Sequence, residues 1–159
     1  MATPAATTDS QPPVTANDYV GVGLRFQVEV DDHDLGTWSK CDGLSIEYEV
    51  QEHKEGGENT FVHRLRGRAK YQNIKLTRYV DKDSPKVAQW VGGIQNKVSR
   101  GTAHITLINS EGSPLVSWDL DGAYPVKWSG PTLDVGAGQV ATESLELAHN
   151  GFLPAGAGG

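Results

Sequence analysis

The chain has 159 residues, 37% of them apolar, and carries 14 Lys and Arg against 20 Asp and Glu for a formal net charge of −6. That length suits one domain with room for a sizeable core, and it is tight for two. The acidic balance excludes a nucleic-acid binder that works by bulk phosphate attraction, and no apolar run approaches the ~20 residues of a membrane-spanning helix.

Residues 1–18 carry Pro4, Pro12 and Pro13 among Ala and Thr, without the basic and apolar segments of a secretory signal. They predict a flexible arm ahead of a single domain over 19–151, with a flexible Gly/Ala-rich tail at 152–159. The single cysteine, Cys41, rules out an internal disulfide. Together these features predict synthesis and folding in the cytoplasm.

Strict alternation dominates the domain. Leu24, Phe26, Val28 and Val30 share one face against Arg25, Gln27 and Glu29; Leu44, Ile46, Tyr48 and Val50 do the same against Ser45, Glu47 and Glu49. Both segments read as half-buried strands, apolar inward and charged outward. Between them lies room for one short strand around Trp38. Further strands are predicted at 61–66, 73–80, 103–108, 115–120 and 124–128, with Glu111-Gly112 and Asp121-Gly122 as punctuation. The stretch 139–147 is extended, and its parity slips between Thr142 and Leu145, which predicts a bulge. One segment has helical period: Val87, Trp90, Val91, Ile94 and Val98 form a stripe over about 85–98, with Ser84 as N-cap and Pro85 at the first helical position. The fold class that follows is mainly β, an antiparallel barrel or sandwich with one flanking helix and an extended loop at about 52–68.

Charge is segregated. Residues 41–58 hold the acids Asp42, Glu47, Glu49, Glu52, Glu55 and Glu58 against Lys54 alone, whereas 60–80 hold Arg64, Arg66, Arg68, Lys70, Lys75 and Arg78 and no acid. An acidic and a basic strand joined through Gly56-Gly57 can pair inside one subunit, or complement each other between subunits stacked head to tail.

Catalytic patterns are missing. There is no Gly-x-Ser-x-Gly elbow, Ser45 lies mid-strand, and Cys41 has no local helix N-terminus to stabilise a thiolate. His33, His53, His63, His104 and His149 form neither HxxxH nor HExxH, so no catalytic, metal or cofactor residue is assigned. Glu47 and Glu49 share one strand face and do not converge on a cleft as a glycosidase pair would. Gly21-Val22-Gly23 precedes a strand and does not link strand to helix, unlike a phosphate loop. Trp38, Trp90, Trp118 and Trp128 leave a second reading open, a soluble monomeric β-barrel module binding carbohydrate or a small ligand.

Three blocks in order, GLRFQVEVDD, CDGLSIEYEVQEHKEGGENTFVHRLRGRAKYQNIKLTRYV and AYPVKWSGPTLDVGAGQVATESLELAHNGF, resemble the inner tube proteins of contractile phage tails and contractile injection systems. The fold of that family is shared with the tube protein of type VI secretion, and the resemblance covers roughly residues 20–152. Arg66-Gly67 stands where the family often has Pro-Gly. The resemblance implies a β-barrel with a flanking helix, six copies to a ring, and rings stacked into a hollow tube. It implies as partners a sheath protein, baseplate and spike, tube-terminating proteins, and DNA or protein cargo in the lumen. Its place would be a phage tail or an injection particle, released from the cell in some systems. On this reading Glu52, Glu55, Gly56, Gly57, Arg64 and Arg66 are expected to reach the adjacent ring, and Glu47 and Glu49 to face the lumen.

Overall fold

The computed structural model describes residues 23–53, 56–57, 63–94, 100–131, 136, 138 and 140–154. The predicted arm, most of the predicted tail, Val98 and Glu55 lie outside them.

The chain opens with a hairpin of β1 (Arg25–Val30) and β2 (His33–Trp38). Asp31 and Asp32 both take positive φ, 50° and 64°, the geometry of a two-residue turn whose twist matches the strands it joins. After Ser39 come β3 (Lys40–Asp42), β4 (Ile46–His53), β5 (His63–Tyr71) and β6 (Ile74–Tyr79). Helix α1 (Ser84–Gly93) follows, then β7 (Gly101–Ile108), β8 (Pro114–Ser129), β9 (Thr142–Ala148) and β10 (Gly151–Leu153).

One path of antiparallel pairings runs β2-β1-β7-β8-β9-β6-β3, with β10 added to β8. β8 is the hinge of this path: residues up to Ala123 pair with β7, and Tyr124 to Ser129 pair with β9. The chain therefore passes from one sheet to the other without a turn. Asp121-Gly122 was expected to punctuate two strands; Gly122 instead sits inside one strand with φ 61°, next to an irregularity in the β7 register. A residue with free access to positive φ lets a strand bend there while its ladder continues.

The two ends of the path, β2 and β3, are joined through Ser39, but no ladder closes β2 on β6. Ser39 spans this seam, its backbone N–H and its hydroxyl both donating to Thr77 O at 3.1 and 2.9 Å. The result is a sandwich that approaches a barrel. Its core is formed by alternate residues of each strand, including Val28, Val30, Ile74, Leu76, Ile105, Leu145 and Leu147, with Trp38 from β2 and Val87 from the helix.

β9 corrects a second expectation. Its register against β6 is continuous, and its core-facing residues are Glu143, Leu145 and Leu147. The parity slip arises because a glutamate occupies a core position; there is no bulge. Glu143 is 1% exposed and faces Arg78 of β6, 2% exposed, with Arg78 Nε donating to Glu143 Oε1 at 2.5 Å. Arg78 Nη1 also donates to Leu35 O at 2.9 Å across the seam, and the guanidinium lies 4.2 Å from the Trp38 ring.

The same carboxylate explains the helix start. Ser84 was expected to cap α1, but the N-cap residue is Asp83, with no side-chain cap bond. The Ser84 hydroxyl donates to Glu143 Oε1 at 2.7 Å and so ties the first helical residue to the sheet. Helix α1 is described over Ser84–Gly93, and residues 95–98 of the predicted helix lie outside the described residues.

Candidate assembly interface

β4 and β5 stand apart from the main sheet as a two-stranded antiparallel ribbon. Much of the loop expected at 52–68 is thus strand: Glu52 and His53 belong to β4, and residues 63–68 to β5. The cross-strand partners include Ile46↔Tyr71, Glu47↔Lys70, Tyr48↔Ala69, Val50↔Arg66 and Glu52↔Arg64. Between Tyr48 and Val50 the register shifts, so that Gly67 and Arg68 oppose Glu49. Gly67 is required here because a β-carbon at that position would lie 2.8 Å from Glu49 O. The bulge strengthens the local twist of the ribbon. At the far end Gly56-Gly57 forms a turn, with Gly57 at φ 140°.

The base of the ribbon is anchored to the sandwich. Tyr71 stacks at a tilt on His149 and edge-on against Phe152, at centroid distances of 5.5 and 5.9 Å. His149 Nε2 lies 3.0 Å from Gln72 O, and Asn73 Nδ2 donates to Glu146 Oε1 at 2.9 Å.

Pairing fixes two faces. Ile46, Tyr48, Val50 and Glu52 share one with Arg64, Arg66 and Ala69; Glu47, Glu49 and Gln51 share the other with Leu65 and Lys70. Of the residues expected to meet the adjacent ring, Glu52, Arg64 and Arg66 therefore fall on one face of the ribbon, while Glu47 and Glu49, expected to face the lumen, fall on the other; Glu55 lies outside the described residues. Within the single chain, Glu52 pairs with Arg64 at 3.7 Å, Glu49 with Lys70 at 2.5 Å, and Arg66 lies 4.8 Å over the Tyr48 ring. The hydrogen bond and charge of Glu49 raise the Lys70 pKa above its ordinary value. These are exposed pairs that solvent screens, and a neighbour can exchange them at little cost.

One expectation fails here. Ile46, Tyr48 and Val50 were expected to point into the core, yet they are 43%, 41% and 62% exposed, and Leu65 on the opposite face is 57% exposed. Alternation correctly put them on one face, but among the described residues no second layer packs on it. An exposed apolar ribbon whose outer edges pair with no described strand is the pattern of a surface that another chain covers.

No catalytic centre emerges from the remaining candidates. Cys41 is half-buried in β3; burial, and then the charge of Asp42, push its thiol up to about 12, the opposite of nucleophile activation. Trp38 is buried and Trp90 and Trp118 pack against the core, so the tryptophans form no common sugar-stacking face. Among the described residues no group of three or more His, Cys, Asp or Glu side chains is arranged to hold a metal.

The outward faces of the two sheets differ in charge. Across one run Lys127, Glu146, Lys75 and Asp42, alternating in sign. Across the other run Asp34, Glu29, His104 and Asp119, with His104 Nδ1 2.6 Å from Asp119 Oδ1. Sequence reasoning missed this acidic row, because it joins two strand pairs, β1–β2 and β7–β8, that lie far apart in the chain.

Residues 22–153 match the family model described as T4-like virus tail tube protein gp19. Among solved structures, a chain of the anti-feeding prophage baseplate, 6-fold symmetrised, is 27% identical with a TM-score of 0.65, covering 91% of this chain and 95% of that one. A chain of the anti-feeding prophage tube terminating cap is 25% identical with a TM-score of 0.69, covering 93% and 97%. A chain of the PVC extracellular contractile injection system, from its sheath-tube complex in the extended state, has the same fold at 23% identity and a TM-score of 0.68, covering 96% and 97%. None of the curated protein sequences matches.

Proposed function

The chain belongs to the T4-like tail tube protein family, and from that premise we propose that six copies close into a ring, that rings stack into a hollow tube, and that a contracting sheath drives this tube through a target envelope. Its role is structural, and its partners are other copies of itself, the sheath, the baseplate and the tube terminator. The parts are made and assembled in the cytoplasm, and the finished tube carries protein or DNA cargo inside an injection particle or phage tail.

The observation that carries this reading is the β4–β5 ribbon. It commits one strand of eight residues and one of nine to a structure that buries little within its own chain, and it turns Ile46, Tyr48 and Val50 outward. On this reading the face with Glu52, Arg64 and Arg66, together with Glu55 and the Gly56-Gly57 turn, docks on the adjacent ring. The opposite face, with Glu47 and Glu49, looks toward the lumen, where carboxylates repel DNA and limit adhesion. Contacts that are individually modest become strong when six of them close at once.

Deletion of residues 55–60 tests the assignment. The shortened chain is expected to keep its circular dichroism spectrum and to lose the rapidly sedimenting polymer. Normal tubes from the deletion variant would overturn the ring-stacking role of this segment. Charge reversal at Glu47 and Glu49 is expected to slow cargo release; unchanged release kinetics would remove them from the lumen.

A further inference from the structure

The apolar face of the ribbon has a counterpart at the opposite end of the molecule. β3 and β6 run on into β4 and β5, so the ribbon leaves the sandwich at the end of the sheet marked by Asp42 and Lys75. Tyr79, opposite Thr142, marks the other end of that sheet. Val80 N donates to Ala141 O at 3.0 Å, which brings Val140 to this far end beside Val80. Tyr79, Val80 and Val140 are all exposed. Single exposed apolar residues are ordinary on a protein surface, but three gathered on one lip mark a contact.

What covers the lip follows from how rings stack, and this step rests on the ring-stacking role proposed above. A polymer that grows by repeating one step along its axis joins two different surfaces, one at each end of the subunit. A ribbon that leaves one end of a subunit therefore meets the next copy at its opposite end, and that end carries Tyr79, Val80 and Val140.

The two surfaces match in chemistry. Ile46, Tyr48 and Val50 bring apolar area with Arg66 lying over the Tyr48 ring, and the lip brings apolar area with the carboxylate of Asp81 directly after Val80. The Asp81 side chain is 40% exposed, and 4.0 Å separates its Oδ1 from Arg78 Nη1. It shares a shallow slot with Arg25 and adjoins the exposed Lys82, so charge selects which side chains meet and adds little strength. The strength comes from the apolar area that both sides remove from water. We propose that the Ile46–Tyr48–Val50 face of one copy's ribbon packs on the Tyr79–Val80–Val140 lip of a copy in the next ring, with Arg66 turned onto Asp81.

Reciprocal photo-crosslinking tests this on the full chain. Tyr48→p-benzoylphenylalanine or Tyr79→p-benzoylphenylalanine, each aromatic for aromatic, is made as ¹⁴N protein and doped into a large excess of unsubstituted ¹⁵N chain, so that tubes form normally. Trypsin cuts after Lys40, Lys54, Arg78, Lys82 and Lys127, so residues 41–54 report the ribbon and residues 79–82 and 128–159 the lip. Both positions are expected to join 41–54 to 79–82 or 128–159 as ¹⁴N–¹⁵N pairs, in tubes and not in isolated rings. Val140→Asp, at a side chain 71% exposed in the single subunit, is expected to raise the concentration needed for tubes at least tenfold, about 1.4 kcal/mol per copy, with urea stability unchanged. Three results would overturn the lip as the receiving surface while leaving ring stacking by the ribbon in place: Tyr48 crosslinks in tubes that fall on other peptides of a second copy, the same ribbon-to-lip crosslinks at equal yield in isolated rings, or normal tubes from Val140→Asp. Crosslinks from Tyr48 confined to ¹⁴N copies in intact tubes would overturn the ring-stacking role of the ribbon itself, and the proposal with it.

Discussion

Replacing Glu143 by leucine should destabilise the subunit more than any change on its surface. The carboxylate is 1% exposed and accepts from Arg78 Nε at 2.5 Å, from Ser84 Oγ at 2.7 Å and from Trp128 Nε1 at 3.3 Å. Ser84 and Trp128 are partly exposed and can turn to water. Arg78 cannot: it is 2% exposed and would keep Leu35 O and the face of Trp38 while losing its buried counter-charge, with only the more exposed Asp81 left, 4.0 Å from Nη1. Removing one member of a buried ion pair typically costs ~3–5 kcal/mol, because the survivor's desolvation is no longer offset. For a domain of this size that corresponds to a fall in Tm of roughly 10–20 °C. The double variant R78M/E143L removes both charges and leaves the Leu35 carbonyl without its donor, a loss of only ~1–3 kcal/mol. Urea unfolding of R78M, E143L and the double variant, at concentrations that keep the chain unassembled, should therefore give a coupling of at least ~2 kcal/mol. An E143L cost below ~1 kcal/mol, or a double variant equal to the sum of the singles, would refute the claim that this pair holds the seam.

Three further outcomes are expected. Val50→Asp, on a side chain 62% exposed in the single subunit, should leave urea stability within ~0.5 kcal/mol yet prevent pelletable polymer; a large stability loss would mean that the ribbon packs within its own subunit. Cys41, with its thiol pushed up to about 12, should hold on the order of one part in ten thousand as thiolate at pH ~8, so iodoacetamide should label it readily only after unfolding; equal rates in both states would contradict its burial. The hydrogen bond from Lys86 holds Asp83 below the usual carboxylate range, so its contribution to stability is present above the unfolded pKa and is lost as pH falls through the depressed folded value. Asp83→Asn should then remove part of the acid-side loss in urea titrations between about pH 5 and pH 2, and an unchanged pH profile would reject the linkage.

Strands were legible where one face is buried within the chain. Val28 and Val30 of β1 and Leu76 of β6 alternate with polar neighbours because the sandwich covers one side of them and water the other. The same alternation misplaced Ile46, Tyr48 and Val50, since a pattern reports which residues share a face and not which chain covers it. Glu143 disguised a regular strand, because its partner Arg78 lies 65 positions away and only the fold joins them. The continuity of β8 through Asp121-Gly122 was equally hidden: glycine permits both a turn and a bend within a strand, and the choice is made by the strands on either side. At the candidate interface, Glu52, Arg64 and Arg66, singled out by their charge and by the family resemblance, share one ribbon and one face. Charge segregation left pairing inside one subunit and pairing between subunits both open, and only the ribbon register shows that Glu52 and Arg64 meet inside one.

The most direct test is negative-stain electron microscopy of the purified full chain at high concentration, with and without a short tube fragment as seed. Six-fold rings or uniform hollow tubes, with growth from the seed, are the expected result. Isolated monomers that fail to extend the seed would contradict the assignment of this chain as a self-assembling tube subunit.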